Sequence, residues 1–143
     1  MSEASINFFS EDIDFQLNDQ ATISNWVTKV IQNHQKIVGD INYIFCSDTY
    51  LHEINVSYLS HDTYTDIITF NQSTDELVTE ADIYISIERV KENAGNFEVD
   101  FDHELRRVMI HGILHLLGFE DHSTEEKQEM RRMEEESLAL LSS

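Results

Sequence analysis

Two histidines four residues apart, His111 and His115, are the side chains in this sequence best suited to chemistry. A helix places residues i and i+4 on one face, so both imidazoles could bind the same metal ion. Gly118 follows, where a left-handed residue would let the chain reverse and bring back Asp121 or His122 as a third ligand. Three protein ligands with an open fourth position are typical of a catalytic zinc site. The spacing therefore predicts one zinc ion, with His111 and His115 as ligands and catalytic residues.

The residue after the first histidine distinguishes this pattern from that of zinc peptidases. Peptidases of the HExxH type carry a glutamate there as general base, whereas this chain has Gly112. Glu104, seven residues before His111, lies on the same helical stripe. It could orient the site or act as the base, or it could be a solvated glutamate at the start of the helix. A peptidase mechanism in this chain would therefore lack its usual proton acceptor.

The elements that must position these residues follow from hydrophobic periodicity. The run 102–117 is apolar over most of its circumference, which predicts a central, buried helix carrying the metal ligands. Ser123 and Glu126 form a capping-box pattern that starts a last helix. Other patterns predict strands over 6–9, 41–46, 66–71 and 81–87, and helices over 21–35, 49–59 and 88–93, with the first helix closed by a turn at Gly39 and the third ended near Gly95. We expect one α/β (α+β) domain over 1–143, with about five helices and a small sheet.

Composition limits the classes of function. The 143 residues include one cysteine, so no disulfide can form within the chain, and neither a signal peptide nor a membrane span is apparent. We expect a cytoplasmic protein. The 28 acidic residues outnumber the 9 Lys plus Arg, for a formal charge of −19, which repels nucleic acid at long range. A bound divalent ion would add positive charge that this sum omits.

Three ordered motifs resemble the YbeY family. They are HGILHLLG at 111–118, similar to the family's HGxLHLxG; INVSYLSHDTYTDIITF at 54–70, similar to LNxxYRxxDxPTDVLSF; and ADIYIS at 81–86, similar to GDIxIS. The resemblance implies a cytoplasmic α/β protein with a small mixed, four-stranded sheet and a metal at the bottom of a cleft. It also implies a zinc-dependent, single-strand-specific endoribonuclease that acts in ribosomal RNA maturation, at the 3′ end of the small-subunit RNA, and in ribosome quality control. Its partners would be single-stranded or ribosomal RNA, with ribosomal proteins or the small subunit.

One departure from the family concerns the third metal ligand. The family's last histidine comes ten residues after the first, and here that place holds Asp121, while the histidine comes one residue later, at His122. Register favours Asp121, whose carboxylate can bind zinc, and His122 remains the alternative.

A second departure is Leu59, which occupies the place of a family arginine that the resemblance links to RNA binding or cleavage. Cations that could contact phosphate instead are Arg89, Lys91, Arg106 and Arg107, although for each one alone the favoured interpretation is a solvated charge or a partner at a helix end. Residues that keep the family pattern, and that we expect to shape the cleft, are Asn55, Tyr58, Asp62, Thr65 and Asp66.

A metal-dependent endoribonuclease is the function that these patterns favour. The alternatives are a metallopeptidase, which Gly112 opposes, and a non-catalytic ribosome assembly module whose metal is structural. A closed site with four protein ligands would favour the assembly module. The sequence leaves the oligomeric state open.

Overall fold

The computed structural model describes residues 5–59 and 65–142, in which strands and helices alternate as far as residue 59 and are followed by two strands and then three helices. The strands are β1 (Ser5–Ser10), β2 (Ile37–Cys46), β3 (Ile67–Asn71) and β4 (Val78–Ser86). The helices are α1 (Gln20–Asn33), α2 (Asp48–Leu59), α3 (Ile87–Phe97), α4 (Phe101–Leu116) and α5 (Thr124–Ser142). The prediction of a small sheet and about five helices in a single α/β domain is confirmed.

The four strands form one mixed sheet in the order β1-β2-β4-β3. β1 and β4 both pair in parallel with the central strand β2, and β3 runs antiparallel to β4. The antiparallel edge strand β3 matters for function, because α4 packs beside it and the two elements form opposite walls of a cleft.

Alternate residues of the two central strands face different layers of helices. On one face they enter the main core with α1, α4 and Met130 of α5, and these strand residues are Ile41, Tyr43, Phe45, Ala81, Ile83 and Ile85. On the other face Cys46 packs with Leu51 of α2 and Ile68 of β3. The site therefore lies on a helix held between the sheet and the other helices.

Helix α4 is the buried central helix that the apolar run predicts. Among its buried residues are Val108, Met109, Ile110, Ile113 and Leu114. It ends in a Schellman motif, since the Phe119 amide donates to the Leu114 carbonyl and the Gly118 amide to the His115 carbonyl. Gly118 has φ of 107°, which confirms the expected left-handed reversal.

Within the described residues, no helix is long and apolar enough to cross a membrane.

The predicted turn at Gly39 is wrong, whereas the third helix ends two residues beyond Gly95, close to its predicted end. Gly39 lies inside β2, where a Cβ would come within 2.2 Å of Glu80 Cγ, so glycine makes room for a neighbouring side chain there; the chain reverses instead at Gln35, with φ of 59°. Gly95 lies inside α3, which continues to Phe97 and is closed by Glu98 in the left-handed conformation. At both helix ends a residue other than glycine adopts positive φ, and its backbone amide donates to a carbonyl of the preceding turn, Gln32 for Gln35 and Gly95 for Glu98.

Candidate metal centre

Three side chains converge where α4 ends and the chain reverses. His111 and His115 lie one turn apart, and their Nε2 atoms are 3.0 Å from each other. Asp121 returns past the Gly118 turn, and its Oδ2 lies 3.5 Å from each of these nitrogens. One ligand atom from each residue lies within 4.8 Å of the other two, so the group could hold a metal ion.

The other proposed third ligand, His122, is not brought into this group. Its side chain is 80% exposed, and its Nε2 lies 3.2 Å from Glu120 Oε2. Its backbone amide donates to Glu126 Oε1, at the start of α5. Of the two alternatives, the structure therefore places Asp121 beside the histidines and His122 in solvent.

A buried carboxylate lies behind His111. Glu134 of α5 is 2% exposed, and its Oε2 lies 2.6 Å from His111 Nδ1. Because an ionised carboxylate only accepts hydrogen bonds, Nδ1 is the donor in this contact, and in the neutral imidazole the lone pair is then on Nε2. Burial raises the pKa of Glu134, but the hydrogen bond from His111 and the charge of Arg107 outweigh it, so that the pKa lies below its usual value.

Arg107 joins Glu134 to a second buried carboxylate, Glu104. Its Nη1 lies 3.2 Å from Glu134 Oε1, and its Nη2 and Nε donate to the two oxygens of Glu104 at 2.6 and 2.9 Å. Glu104 is 1% exposed, so it is not the solvated glutamate that one interpretation expected. It also does not contact the histidines directly and reaches them through Arg107 and Glu134.

The donor set fits a divalent transition metal. Two neutral imidazole nitrogens and one carboxylate oxygen suit zinc and other borderline ions, whereas Mg²⁺ and Ca²⁺ prefer oxygen ligands only. The proton held on His111 Nδ1 leaves Nε2 unprotonated, as a metal ligand requires. The three residues therefore suit a zinc-type ion in the chemistry of their donor atoms as well as in their positions.

The group opens into a cleft of about 640 Å³ between α4 and β3. The other residues that line it are Asn55, Thr65, Asp66, Ile67, Ile68, Thr69, Asn71, Leu116 and Glu120. Burial raises the pKa of Asp66, and the positive charge of Arg107 only partly opposes this rise. Asp66 thus takes up a proton more readily than an exposed aspartate.

Residues of the predicted cleft pattern lie in different places. Asn55, Thr65 and Asp66 line the cleft. Tyr58 is 74% exposed on α2 and packs edge-to-face on Phe70. The side chain of Leu59, and the whole of Asp62, lie outside the described residues.

Of the four candidate phosphate-binding cations, none lines the cleft within the described part of the chain. Arg89 forms an ion pair with Asp48 at 2.8 Å, and Arg107 is engaged by the two buried glutamates. Lys91 Nζ lies over the Phe101 ring, and Arg106 lines a separate groove between α4 and α5. The sequence-based assignment of these cations to phosphate contacts therefore has no support from their positions.

Lys36 is a cation that sequence reasoning missed. It lines a groove that shares Asn71 and Leu116 with the metal cleft, so the two depressions are adjacent. Its Nζ donates to the backbone carbonyl of Glu76 at 2.9 Å. It lies in the turn before β2, where the sequence gives no motif, and only the fold brings it near the site.

Glu134 was also missed, although the sequence holds a signal for it. It lies four residues after Met130 and three before Ser137, both of which are buried on the inner face of α5. A charged residue on an apolar helical stripe needs a buried partner. Applied to α5, this rule predicts a buried partner for Glu134.

Comparison with known proteins gives consistent matches along the chain. Residues 5–142 match the family model described as Endoribonuclease YbeY. A protein of that name from Christiangramia forsetii is 54% identical, over 98% of this chain and 96% of its own length. Another from Flavobacterium psychrophilum is 51% identical, over 92% and 94%. The solution structure of TM1509 from Thermotoga maritima superimposes with a TM-score of 0.61 and 28% identity, covering 94% of this chain and 90% of that one.

Proposed function

The chain belongs to the YbeY endoribonuclease family, and from this premise we propose that it hydrolyses phosphodiester bonds of single-stranded RNA with one zinc ion held by His111, His115 and Asp121. The observation that carries this proposal is the His-His-Asp donor set at one end of an open cleft. A site with three protein ligands keeps a coordination position for the reaction.

When bound, the zinc ion supplies a hydrolytic nucleophile near neutral pH and positive charge where the phosphate becomes more negative. His111 and His115 present their Nε2 atoms, and Asp121 presents a carboxylate oxygen, which lowers the net charge of the centre to +1. In a chain of formal charge −19, this centre is the local attraction for a phosphate.

The walls of the cleft provide the remaining contacts. Asn55, Thr65, Thr69 and Asn71 offer amide and hydroxyl groups that can hydrogen-bond to phosphate oxygens and ribose. Asp66 lies on the same wall, and we assign to its carboxyl the role of holding a proton during the reaction. The route continues past Asn71 to Lys36, which supplies one positive charge along the RNA backbone.

The substrate in the cell is, in this proposal, ribosomal RNA. The chain would act in the cytoplasm on single-stranded RNA near the 3′ end of the small-subunit RNA, in maturation and in ribosome quality control. Ribosomal proteins or the small subunit would help an acidic protein to approach RNA, because its surface charge alone repels the phosphate backbone.

Neither alternative function gains an observation in its favour. A Cβ at Gly112 would lie 2.8 Å from Ile67 Cδ1 and 3.3 Å from Thr69 Oγ1, so a glutamate there would be directed into the packing against β3. The peptidase base is thus absent, and a larger residue in its place would require the Ile67 side chain to move. The assembly module with a closed site needs a fourth ligand such as His122, which points into solvent.

A cleavage assay tests the proposed function. Zinc-loaded wild type is expected to cleave an end-labelled single-stranded RNA and to leave the same RNA intact when it is annealed to its complement. Chelation and His115→Ala should each remove the activity, and casein should remain uncut. Equal cleavage by wild type and by a His111→Ala, His115→Ala double variant prepared in parallel would refute the proposal, as would casein cleavage without RNA cleavage.

A further inference from the structure

We propose that Glu134, on the C-terminal helix, is a positioning residue for the metal ligand His111, and that Arg107 and Glu104 hold its carboxylate in place. This inference rests on the proposed metal site and extends it to a helix outside the histidine motif. The site is then built from two helices, with α4 supplying the ligands and α5 fixing one of them.

The contact between Glu134 and His111 determines which ring nitrogen faces the ion. Glu134 Oε2 and His111 Nδ1 are 2.6 Å apart, a short charge-assisted hydrogen bond. The proton on Nδ1 leaves Nε2 with its lone pair, 3.0 Å from His115 Nε2 and 3.5 Å from Asp121 Oδ2. The hydrogen bond therefore holds the imidazole in the orientation that a metal ligand needs, with Nδ1 directed at Glu134 and Nε2 directed at the other two ligands.

Arg107 fixes the direction of the Glu134 carboxylate. Its Nη1 contacts Glu134 Oε1, the oxygen that does not face His111, so each carboxylate oxygen has its own donor. Glu104 takes the opposite edge of the guanidinium in a bidentate pair. This pairing fixes the plane of Arg107 and lets two carboxylates remain buried beside one cation.

The two histidine ligands are consequently unequal. Within the described residues, the carboxylate within reach of His115 is Asp121, on the metal-facing Nε2, whereas His111 has Asp121 on Nε2 and Glu134 on Nδ1. Positioning through a bound carboxylate should thus act on His111. Loss of such partners typically lowers metal affinity by about 10–100-fold.

The first test measures zinc affinity by competition with a chromophoric chelator. Glu134→Gln keeps the shape of the side chain and removes its charge, and its zinc dissociation constant is expected to rise about 10–100-fold. Glu135→Gln is the matched control, with the same change of charge on an adjacent, exposed residue of α5, and should stay within about twofold of wild type. Circular dichroism and amide spectra confirm that both variants are folded.

The second test reads the tautomer directly, first in wild type and then in the same two variants. Long-range ¹H–¹⁵N correlation spectra of metal-free wild type should show His111 protonated on Nδ1, and Glu134→Gln should shift its two ring nitrogens while Glu135→Gln leaves them unchanged. A merely structural role for Glu134 would not change the tautomer of His111 in a folded protein.

The outcomes separate this inference from the proposed function. Zinc binding by wild type with unchanged affinity in folded Glu134→Gln, or a metal-free wild type with His111 protonated on Nε2, would overturn the positioning role alone. A wild type that shows the expected tautomer but binds no zinc would confirm the hydrogen bond between Glu134 and His111. It would overturn the metal site, and with it the role of Glu134 in metal binding.

Discussion

Two helical clusters in this protein have the same composition, one arginine and two glutamates, and opposite surroundings. Arg107 is bound by Glu104 and Glu134, which are 1% and 2% exposed. Arg132 is bound by Glu129 and Glu136 on the outer face of α5, and its side chain is 59% exposed. In each cluster one glutamate lies three residues before the arginine in the same helix.

The difference shows that burial, and not the pattern of charges, decides what an ion pair does. The Arg132 cluster exchanges its partners with water at little cost, as surface ion pairs do. The Arg107 cluster lies behind a metal ligand, where each charge depends on the others for solvation. Removing one member of the Arg107 cluster leaves an unpaired buried charge. The two clusters should therefore differ in how much stability is lost when a member is removed.

The largest expected effect comes from truncating each arginine in turn. Arg107→Ala leaves two buried carboxylates without their cation, and we expect the free energy of unfolding to fall by about 3–5 kcal/mol. Arg132→Ala removes the same charge from an exposed site and should leave stability unchanged within error. Urea unfolding with a chelator present measures both without the contribution of bound metal. Equal losses in the two variants would mean that the Arg107 cluster is not buried as described.

A smaller loss of stability is expected at the cap of α5, which is exposed like the Arg132 cluster but satisfies backbone groups. The Ser123 hydroxyl accepts the Glu126 amide at 3.1 Å, and Glu126 accepts the Ser123 amide at 2.9 Å, which confirms the predicted capping box. Because these bonds satisfy backbone groups, Ser123→Ala should cost about 1 kcal/mol of unfolding free energy, whereas Ser123→Asp, also a good cap, should cost little. Thermal unfolding checks both, and equal losses for alanine and aspartate would contradict the cap.

The smallest effect concerns two lysines and the binding of RNA. Lys36 is half-buried and lines the groove next to the cleft, whereas Lys29 is exposed on α1 and absent from the lining of either depression. Lys36→Ala should make the plot of log affinity for single-stranded RNA against log salt shallower by about 0.7, which corresponds to one phosphate contact. Lys29→Ala changes the net charge equally and should not alter the slope. Fluorescence anisotropy over a salt series separates them, and matching slopes for both variants would place the RNA elsewhere.

Local signals in the sequence predicted most of the fold and the three residues now found together. The capping box at Ser123, the reversal at Gly118 and the buried run of α4 each depend on neighbouring residues, so pattern alone was enough. Asp121 and His122 could be ranked only by family register, and the structure adds the reason, since the Schellman turn directs Asp121 towards the histidines.

The remaining features depend on contacts between residues far apart in the chain. Gly39 was assigned to a turn because its role depends on Glu80, 41 residues later in β4. Glu134 lies 23 residues from His111, and Lys36 approaches the cleft only when β2 joins the sheet. Such contacts are set by the packing of whole elements, which local periodicity does not encode.

The central claim is the metal site, and zinc content measured by elemental mass spectrometry tests it most directly. Wild type, reconstituted and desalted, is expected to carry about one zinc per chain, and His111→Ala and Asp121→Ala to carry almost none. His122→Ala should retain the wild-type content, because its side chain is exposed and paired with Glu120. Zinc retained by Asp121→Ala and lost from His122→Ala, or a wild type that cannot be loaded, would contradict the account.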